Sequence, residues 1–292
     1  MLLPEFEFHE PTTLSEACEL MAALRGKARP LAGGTDLVVN MKKKRIRPDH
    51  VISLSKIDDL KGIVQENGLV MIGACVTAAE IAGSEAIKES LGALTEAAAV
   101  LGSPLIRNLA TIAGNLVTAR PAADLPPPLM AFGAKAVLTK RSGERFVDLN
   151  DFFTGPGETL MDPDEILTKV VIETPQGHCG SSYIKLGVRQ TLEISLVNVA
   201  ASISLDGPDG PIKDARVVLG SVGPIPIRAL SAESVLKGQS PSEALFEQAG
   251  EAAGGDAKPI DDFRGSAEYR RDMVGVLTKR ALNTALQRAT SR

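Results

Sequence analysis

Two short stretches hold residue types that suit a phosphate. Leu31-Ala32-Gly33-Gly34-Thr35-Asp36-Leu37 places two adjacent glycines after an apolar approach and before a helix-like run from Leu37 to Lys42. Glycine lets the backbone turn through φ > 0 and lets a ligand come close to bare N–H groups. Thr35 or Asp36 is placed to N-cap the helix. The unpaired N–H groups of such a helix start carry partial positive charge and suit a phosphate. Ala110-Thr111-Ile112-Ala113-Gly114-Asn115, continuing through Leu116 and Val117 to Thr118, repeats the pattern. Either stretch alone reads equally well as a structural loop. Together they are placed to clamp the two phosphates of a dinucleotide from both sides. Neither is a Gly-x-Gly-x-x-Gly fingerprint or a Gly-x-x-x-x-Gly-Lys-Ser/Thr loop, so the Rossmann and Walker readings lack their motif.

No constellation for making or breaking bonds accompanies these turns. His9, His50 and His178 share no spacing with one another or with a cysteine that would make a metal site, and each is expected to be solvent-facing or structural. There is no Gly-x-Ser-x-Gly elbow, and no carboxylate pair stands out from surface charge. No catalytic residue and no metal ligand is therefore assigned. That absence fits a protein whose chemistry is carried by a bound cofactor.

Composition narrows the class. The chain has 292 residues, 44% of them hydrophobic, enough for one large domain or two ordinary ones with a real core. A net charge of −4 with interspersed signs argues against nucleic acid. The basic run Lys42-Lys43-Lys44-Arg45 sits at an expected helix end, where cations complement the dipole, and reads as a solvated face or subunit contact. Cys18, Cys75 and Cys179 are far apart and offer no disulfide framework, no Cys-x-x-Cys and no set for an iron–sulfur cluster, so reduced cytosol is the simplest setting. Met1 to His9 is acidic and broken by Pro4, unlike a signal peptide. No uninterrupted apolar run reaches the roughly 18 residues of a membrane span.

The elements that must position the turns follow from local pattern. Phe6 and Phe8 alternate with Glu5 and Glu7 as a short strand. Thr12 to Glu16 signals a helix start, with Leu14, Ala17, Leu20, Met21 and Leu24 on one face. Strands are expected at 28–31 and 51–54, then a hairpin of 63–64 with 69–72 about Glu66-Asn67-Gly68. Thr77 to Glu80 reads as a capping box and 91–101 as a buried Ala-rich helix. Pro126-Pro127-Pro128 marks a short helix. Strands at 135–139, 145–147 and 167–172 close this part, and Pro175 to His178 breaks the pattern. Beyond it, 182–185, 196–205 and 217–222 read as an antiparallel sheet, with helices opening at Ser240-Pro241-Ser242-Glu243 and at Ser266. A βαβ opening followed by hairpins is α+β rather than doubly wound.

Ala32-Gly33-Gly34-Thr35-Asp36-Leu37, Ile106-Arg107-Asn108, Thr111-Ile112-Ala113-Gly114-Asn115 and Pro121-Ala122-Ala123-Asp124-Leu125 resemble, in order and spacing, the FAD-binding subunit of molybdenum hydroxylases. That family includes the medium subunit of carbon monoxide dehydrogenase and the flavin subunits of xanthine and nicotinate dehydrogenases. The resemblance runs the length of the chain. It implies a two-part FAD-binding domain of the vanillyl-alcohol-oxidase type over 1–175, with subdomains of about 1–55 and 56–175. A C-terminal domain, an antiparallel sheet with helices, follows over 176–292.

The resemblance also implies site roles. Backbone N–H groups of Ala32, Gly33, Gly34, Thr35 and Asp36 would take one side of the FAD pyrophosphate, and those about Thr111, Ala113, Gly114 and Asn115 the other. The hydroxyls of Thr35, Thr111 and Thr118 would add donors. Asp124 would hydrogen-bond the adenosine side, with helix N-capping before Leu125 as its plain alternative. Lys185 would lie near the cofactor, Ile194 against the isoalloxazine, and Leu160 beside the flavin. The chain departs from the family pattern at two places. Ala113 stands where a glycine is usual and requires φ < 0. Glu193 stands where Asp is usual, keeping the carboxylate with a longer reach.

The implied function is electron transfer in the cytoplasm. Substrate would be hydroxylated at a molybdenum–pterin centre on a large partner subunit. Electrons would pass through two [2Fe-2S] clusters on a small one, then through FAD to NAD⁺, a quinone or another acceptor, usually in a dimer of heterotrimers. This chain alone would not turn over the organic substrate. The alternatives are a self-contained flavin oxidase of the same superfamily, for which no clear base is present, and a subunit that has lost FAD.

Overall fold

The computed structural model describes residues 2–189 and 192–291. Strand β1 (Glu7–His9) leads to helix α1 (Leu14–Ala23), whose first turn closes as a reciprocal box between Thr13 and Glu16. Next come β2 (Ala28–Leu31), α2 (Leu37–Lys42) and β3 (His50–Ser53). These strands form a parallel sheet in the order β1-β3-β2. The register sets Glu7 beside His50 and His9 beside Ile52. Two histidines expected to be unrelated are thereby brought together, with His9 Nε2 3.1 Å from His50 Nδ1.

A hairpin of β4 (Ile63–Glu66) and β5 (Leu69–Gly73) follows. It turns at Asn67 and Gly68, both at positive φ, the geometry an Asn-Gly hairpin favours. The helical stretch comprises α3 (Ala78–Gly83), α4 (Glu85–Ser90), α5 (Gly92–Val100), α6 (Pro104–Arg107), α7 (Ile112–Val117) and α8 (Pro126–Ala131). Thr77 and Glu80 form the second capping box. Every residue of α8 is buried, and its prolines sit in the first turn, where their missing N–H costs no helical bond.

Strands β6 (Lys135–Lys140) and β7 (Gly143–Asp148), helix α9 (Leu149–Phe152), and the short strands β8 (Phe153–Gly155) and β9 (Glu158–Thr159) precede β10 (Ile166–Glu173). The second sheet is antiparallel, in the order β4-β5-β10-β6-β7.

The chain then enters β11 (Cys179–Leu186), β12 (Val197–Leu205), β13 (Ile212–Gly220) and β14 (Ile227–Arg228), an antiparallel sheet in sequence order. Helices α10 (Leu230–Leu236), α11 (Glu243–Asp256) and α12 (Ala267–Thr290) cover one face. Gly180 lets α12 lie directly on β11: a Cβ there would be 1.9 Å from the carbonyl oxygen of Ala285. The sheet is buried on both faces. Val197, Val199, Val217 and Leu219 join the core beneath α11 and α12, whereas Tyr183, Ala200 and Val218 join the core of the N-terminal part. The architecture is the expected α+β. Among the described residues no helix is long and apolar enough to cross a membrane.

Candidate functional site

The two glycine turns meet. Gly33 lies so close to the segment before the second turn that a Cβ on it would be 1.7 Å from the Leu109 carbonyl oxygen. Gly34 has φ of +73°, which L side chains rarely adopt. One glycine therefore serves close approach and the other the left-handed turn. Among the described residues, no acceptor takes a hydrogen bond from the N–H groups of Gly33, Gly34, Thr35 or Asp36. A run of bare N–H groups after a left-handed residue makes an anion-binding concavity. The side chains expected to cap α2 do not do so. Asp36 is already helical, at φ −103° and ψ −48°, and makes no capping bond. An N-cap needs an extended backbone for its side chain to reach forward.

The second turn is built differently. Thr111 is extended and caps α7, its Oγ1 accepting from the Gly114 N–H at 3.1 Å. Ile112 N–H donates to Val76 O at 2.9 Å, Ala113 N–H to Ala74 O at 3.2 Å, and Asn115 N–H to Thr111 O at 3.0 Å. The N–H groups of Ile112, Ala113, Gly114 and Asn115 are thus bonded within the protein, whereas that of Thr111 has no acceptor among the described residues. Ala113 has negative φ and is buried within α7, so alanine there brings no strain. The Asn115 side chain accepts from the Leu125 N–H at 3.2 Å and pins the start of α8. That is the capping role considered for Asp124, which makes no such bond.

Between the turns opens a cleft of about 280 Å³, lined by Thr35, Asp36, Ile106, Thr111, Asn115 and Ile194 among others. Its outer wall comes from the C-terminal part. Leu192, at φ of +54°, donates its N–H to the Gly102 carbonyl at 3.1 Å and so holds Glu193 and Ile194 over the cleft. Ile194 is 52% exposed although apolar. The Glu193 carboxylate is turned to Arg189 Nε at 2.7 Å, which lowers its pKa.

Asp124 and Lys185 come together behind this cleft. Lys185 Nζ donates to Asp124 Oδ2 at 2.9 Å and to the Val100 carbonyl at 3.3 Å, and Tyr183 Oη donates to Asp124 Oδ1 at 2.7 Å. Burial raises the Asp124 pKa despite the opposing effects of Lys185 and Tyr183. Burial, with the carboxylate beside it, pushes the Tyr183 phenol well above its usual range. The pair ties β11 to the segment before α8.

Models of two families match the chain: the FAD binding domain in molybdopterin dehydrogenase over residues 4–175, and the CO dehydrogenase flavoprotein C-terminal domain over residues 182–285. The chain belongs to the FAD-binding subunits of molybdenum hydroxylases. It is 32% identical to the carbon monoxide dehydrogenase medium chain of Hydrogenophaga pseudoflava, over 99% of both chains. It is 31% identical to the xanthine dehydrogenase FAD-binding subunit of Escherichia coli O157:H7, over 97% of this chain and 96% of that one. A solved structure of the Hydrogenophaga pseudoflava carbon monoxide dehydrogenase, in a form lacking the Mo-pyranopterin moiety, superposes with a TM-score of 0.94 at 32% identity, covering 99% of both chains.

The residues expected from the family pattern fall into three groups in this FAD-binding subunit. Thr35, Asp36, Thr111, Asn115 and Ile194 line the cleft. Gly33, Gly34, Ala113 and Gly114 shape it from behind, with Asp124 and Lys185 deeper. Ala32, Thr118 and Leu160 are half-buried outside its lining, Leu160 packing on the N-terminal core. Leu101, Gly102, Ile106, Ala110 and Leu192 also line the cleft and were not assigned from sequence. Ile106 had a signal, lying in a stretch that carries the family resemblance, but Leu192 had none. A larger groove of about 970 Å³, flanked by Glu96, Arg216 and Arg288, contains none of the expected residues.

Proposed function

We propose that this chain is the FAD-carrying electron-transfer subunit of a multi-subunit molybdenum hydroxylase. In this reading a small partner subunit holds [2Fe-2S] clusters, a large one holds the molybdenum–pterin cofactor, and NAD⁺ or a quinone is the external acceptor. The assembly is a dimer of heterotrimers in the cytoplasm. The observation that carries the reading is the row of uncommitted N–H groups from Gly33 to Asp36, opening on a cleft walled by the second glycine turn and Ile194.

The donor set fits the pyrophosphate of FAD. Main-chain N–H groups of Gly33 to Asp36 and the Thr35 hydroxyl hold one side, and the Thr111 hydroxyl and the Asn115 amide lie across from them. Ile194 and Leu192 present apolar surface to the isoalloxazine and exclude water from it. The Asp124–Lys185–Tyr183 cluster holds the floor rigid. At about 280 Å³ the cleft encloses only part of a dinucleotide, leaving the rest along the surface and open to a partner. When bound, FAD supplies a carrier able to exchange electrons singly with iron–sulfur clusters and in pairs with an acceptor.

The cleft's ionisable lining groups are Asp36, which is exposed, and Glu193, which is paired with Arg189. Glu193 is the buried one of the two and its carboxylate is held by Arg189, so among the described residues no unpaired base faces the cleft to take a substrate proton, which argues against a self-contained oxidase. The test is an absorption spectrum of the chain purified with its co-purifying polypeptides, followed by acid release and identification of the flavin. FAD with iron–sulfur absorbance and two further polypeptides is expected. Bleaching of a lone chain by a small organic donor would favour the oxidase, and an intact fold without flavin would overturn both.

A further inference from the structure

Glu7, His9 and His50 stand together at the edge of the N-terminal parallel sheet, away from the glycine turns. The register explains the meeting. Glu7 and His50 are direct partners across β1 and β3, and His9 is two residues along β1. Paired residues and residues two apart project from the same face of a sheet, so three ligand-bearing side chains emerge side by side. The partner of His50 on its other flank is Ala28, whose small side chain leaves the imidazole room to turn.

The geometry is that of a ligand set. His9 Nε2 and His50 Nδ1 are 3.1 Å apart. Glu7 oxygens lie 3.4 Å from His50 Nδ1 and 3.9 Å from His9 Nε2. A tetrahedral zinc ion with bonds of about 2.0–2.2 Å separates its ligand atoms by roughly 3.3–3.6 Å. Glu7 turns one oxygen to each imidazole, and the three pairwise distances lie within about half an ångström of such an edge. The two imidazoles are each 19% exposed and the carboxylate is 67% exposed. The fourth corner thus points to solvent, where a water completes the shell. Two imidazole nitrogens with one carboxylate oxygen suit Zn²⁺ and disfavour Mg²⁺ or Ca²⁺, which take all-oxygen shells.

We propose that Glu7, His9 and His50 form a Zn²⁺ site that staples strand β1 to β3. The metal takes the place of the hydrogen bond between His9 Nε2 and His50 Nδ1, each neutral ring carrying its proton on the nitrogen that faces away from the ion. The site lies outside the cofactor cleft and serves the N-terminal edge. β1 is three residues long and among the described residues pairs only with β3, so a metal bridge supplies holding power that its ladder lacks. A ligand that binds only the folded chain stabilises it by mass action.

The experiment is calorimetric titration of the complete, FAD-loaded chain with Zn²⁺ and, as control, Mg²⁺, alongside hydrogen exchange of residues 2–10. One equivalent of Zn²⁺ is expected to bind, Mg²⁺ is not, and exchange in β1 is expected to slow when zinc is added. His9→Ala and His50→Ala should each weaken binding by more than about tenfold, since even outer-shell changes cost about 10–100-fold. His178→Ala should leave it unchanged. If either ligand variant fails to fold, the wild-type exchange measurement still decides. No zinc uptake, uptake unaltered in the double histidine variant, or uptake without slowed exchange in β1 would overturn the proposal.

Discussion

Gly33 rests against the carbonyl of Leu109, and the gap between them has no room for a methyl group: a Cβ at Gly33 would stand 1.7 Å from that oxygen. The contact joins the two turns that form the cleft. Gly33→Ala must therefore push them apart. We expect a stability loss at or beyond the upper end of the usual overpacking cost of about 1–3 kcal/mol, with loss of bound flavin. Gly34→Ala meets only the side chains of Leu31 and Val38 at 3.1 and 3.2 Å. Its main cost is the left-handed backbone, about 1–2 kcal/mol. Thermal unfolding and flavin content of the two purified variants check this. A Gly33→Ala chain as stable as the Gly34→Ala chain would contradict it.

The second turn should behave differently from the first. Most of its N–H groups are already bonded within the protein, so on the proposed reading it acts chiefly through the Thr111 and Asn115 side chains. Thr111→Ala removes the cap of α7 and should cost about 0.5–2 kcal/mol of stability. Flavin affinity, measured by fluorescence titration, should fall by up to the tenfold that about 1.4 kcal/mol represents, for the one hydroxyl donor lost. Unchanged affinity with the fold intact would show that the Thr111 hydroxyl does not hold the cofactor.

What was legible in the sequence is what is local. The capping boxes at Thr13 and Thr77 and the Asn67-Gly68 hairpin are each decided within four residues, and each forms as expected. Asp36 failed as a cap because the chain is already helical there, a backbone fact that residue type does not carry. Helix α10 lacks a capping side chain and gave no start signal. The site is legible where it consists of glycines and threonines in a contiguous motif. It is illegible where distant segments meet. Leu192 reaches Gly102, Asp124 finds Lys185, and His9 meets His50 only through strand register and domain packing. No spacing rule along one chain encodes those pairs.

Ile194 is an apolar side chain held at the mouth of the cleft with half its surface in solvent. Its truncation should leave the flavin-free chain's unfolding temperature nearly unchanged, because little burial is lost. The contact with the isoalloxazine proposed above predicts a separate effect. Ile194→Ala should weaken FAD binding by about 1–2 kcal/mol, roughly five- to thirtyfold in Kd, for the apolar surface left uncovered. Parallel measurement of Kd and of flavin-free stability separates the two. Equal effects on both would mean that Ile194 supports the fold rather than the ligand.

Lys185 and Asp124 form a buried pair that closes the two parts of the chain onto each other, each with less than a tenth of its side chain exposed. Lys185→Met leaves the carboxylate buried with Tyr183 as its remaining hydrogen-bond donor. Breaking such a pair costs about 3–5 kcal/mol, whereas removing both charges in a Lys185→Met, Asp124→Asn double variant should restore much of the loss. The pH dependence follows from the sign of the shift. Burial raises the Asp124 pKa on folding, and Lys185 is the first of the groups opposing it. A carboxyl raised on folding adds stability below its unfolded pKa, and that contribution is lost as pH rises through its folded value. Without Lys185 the folded value climbs further, so at neutral pH the variant must either bury an unpaired charge or take up a proton. The stability gap between wild type and Lys185→Met should be widest near neutrality and narrow as pH falls below the ordinary carboxyl value of about 3.9, where Asp124 becomes protonated in both. Denaturant midpoints measured across that range check it. A gap that stays constant with pH would place the cost in lost packing of the lysine stem rather than in the stranded carboxylate.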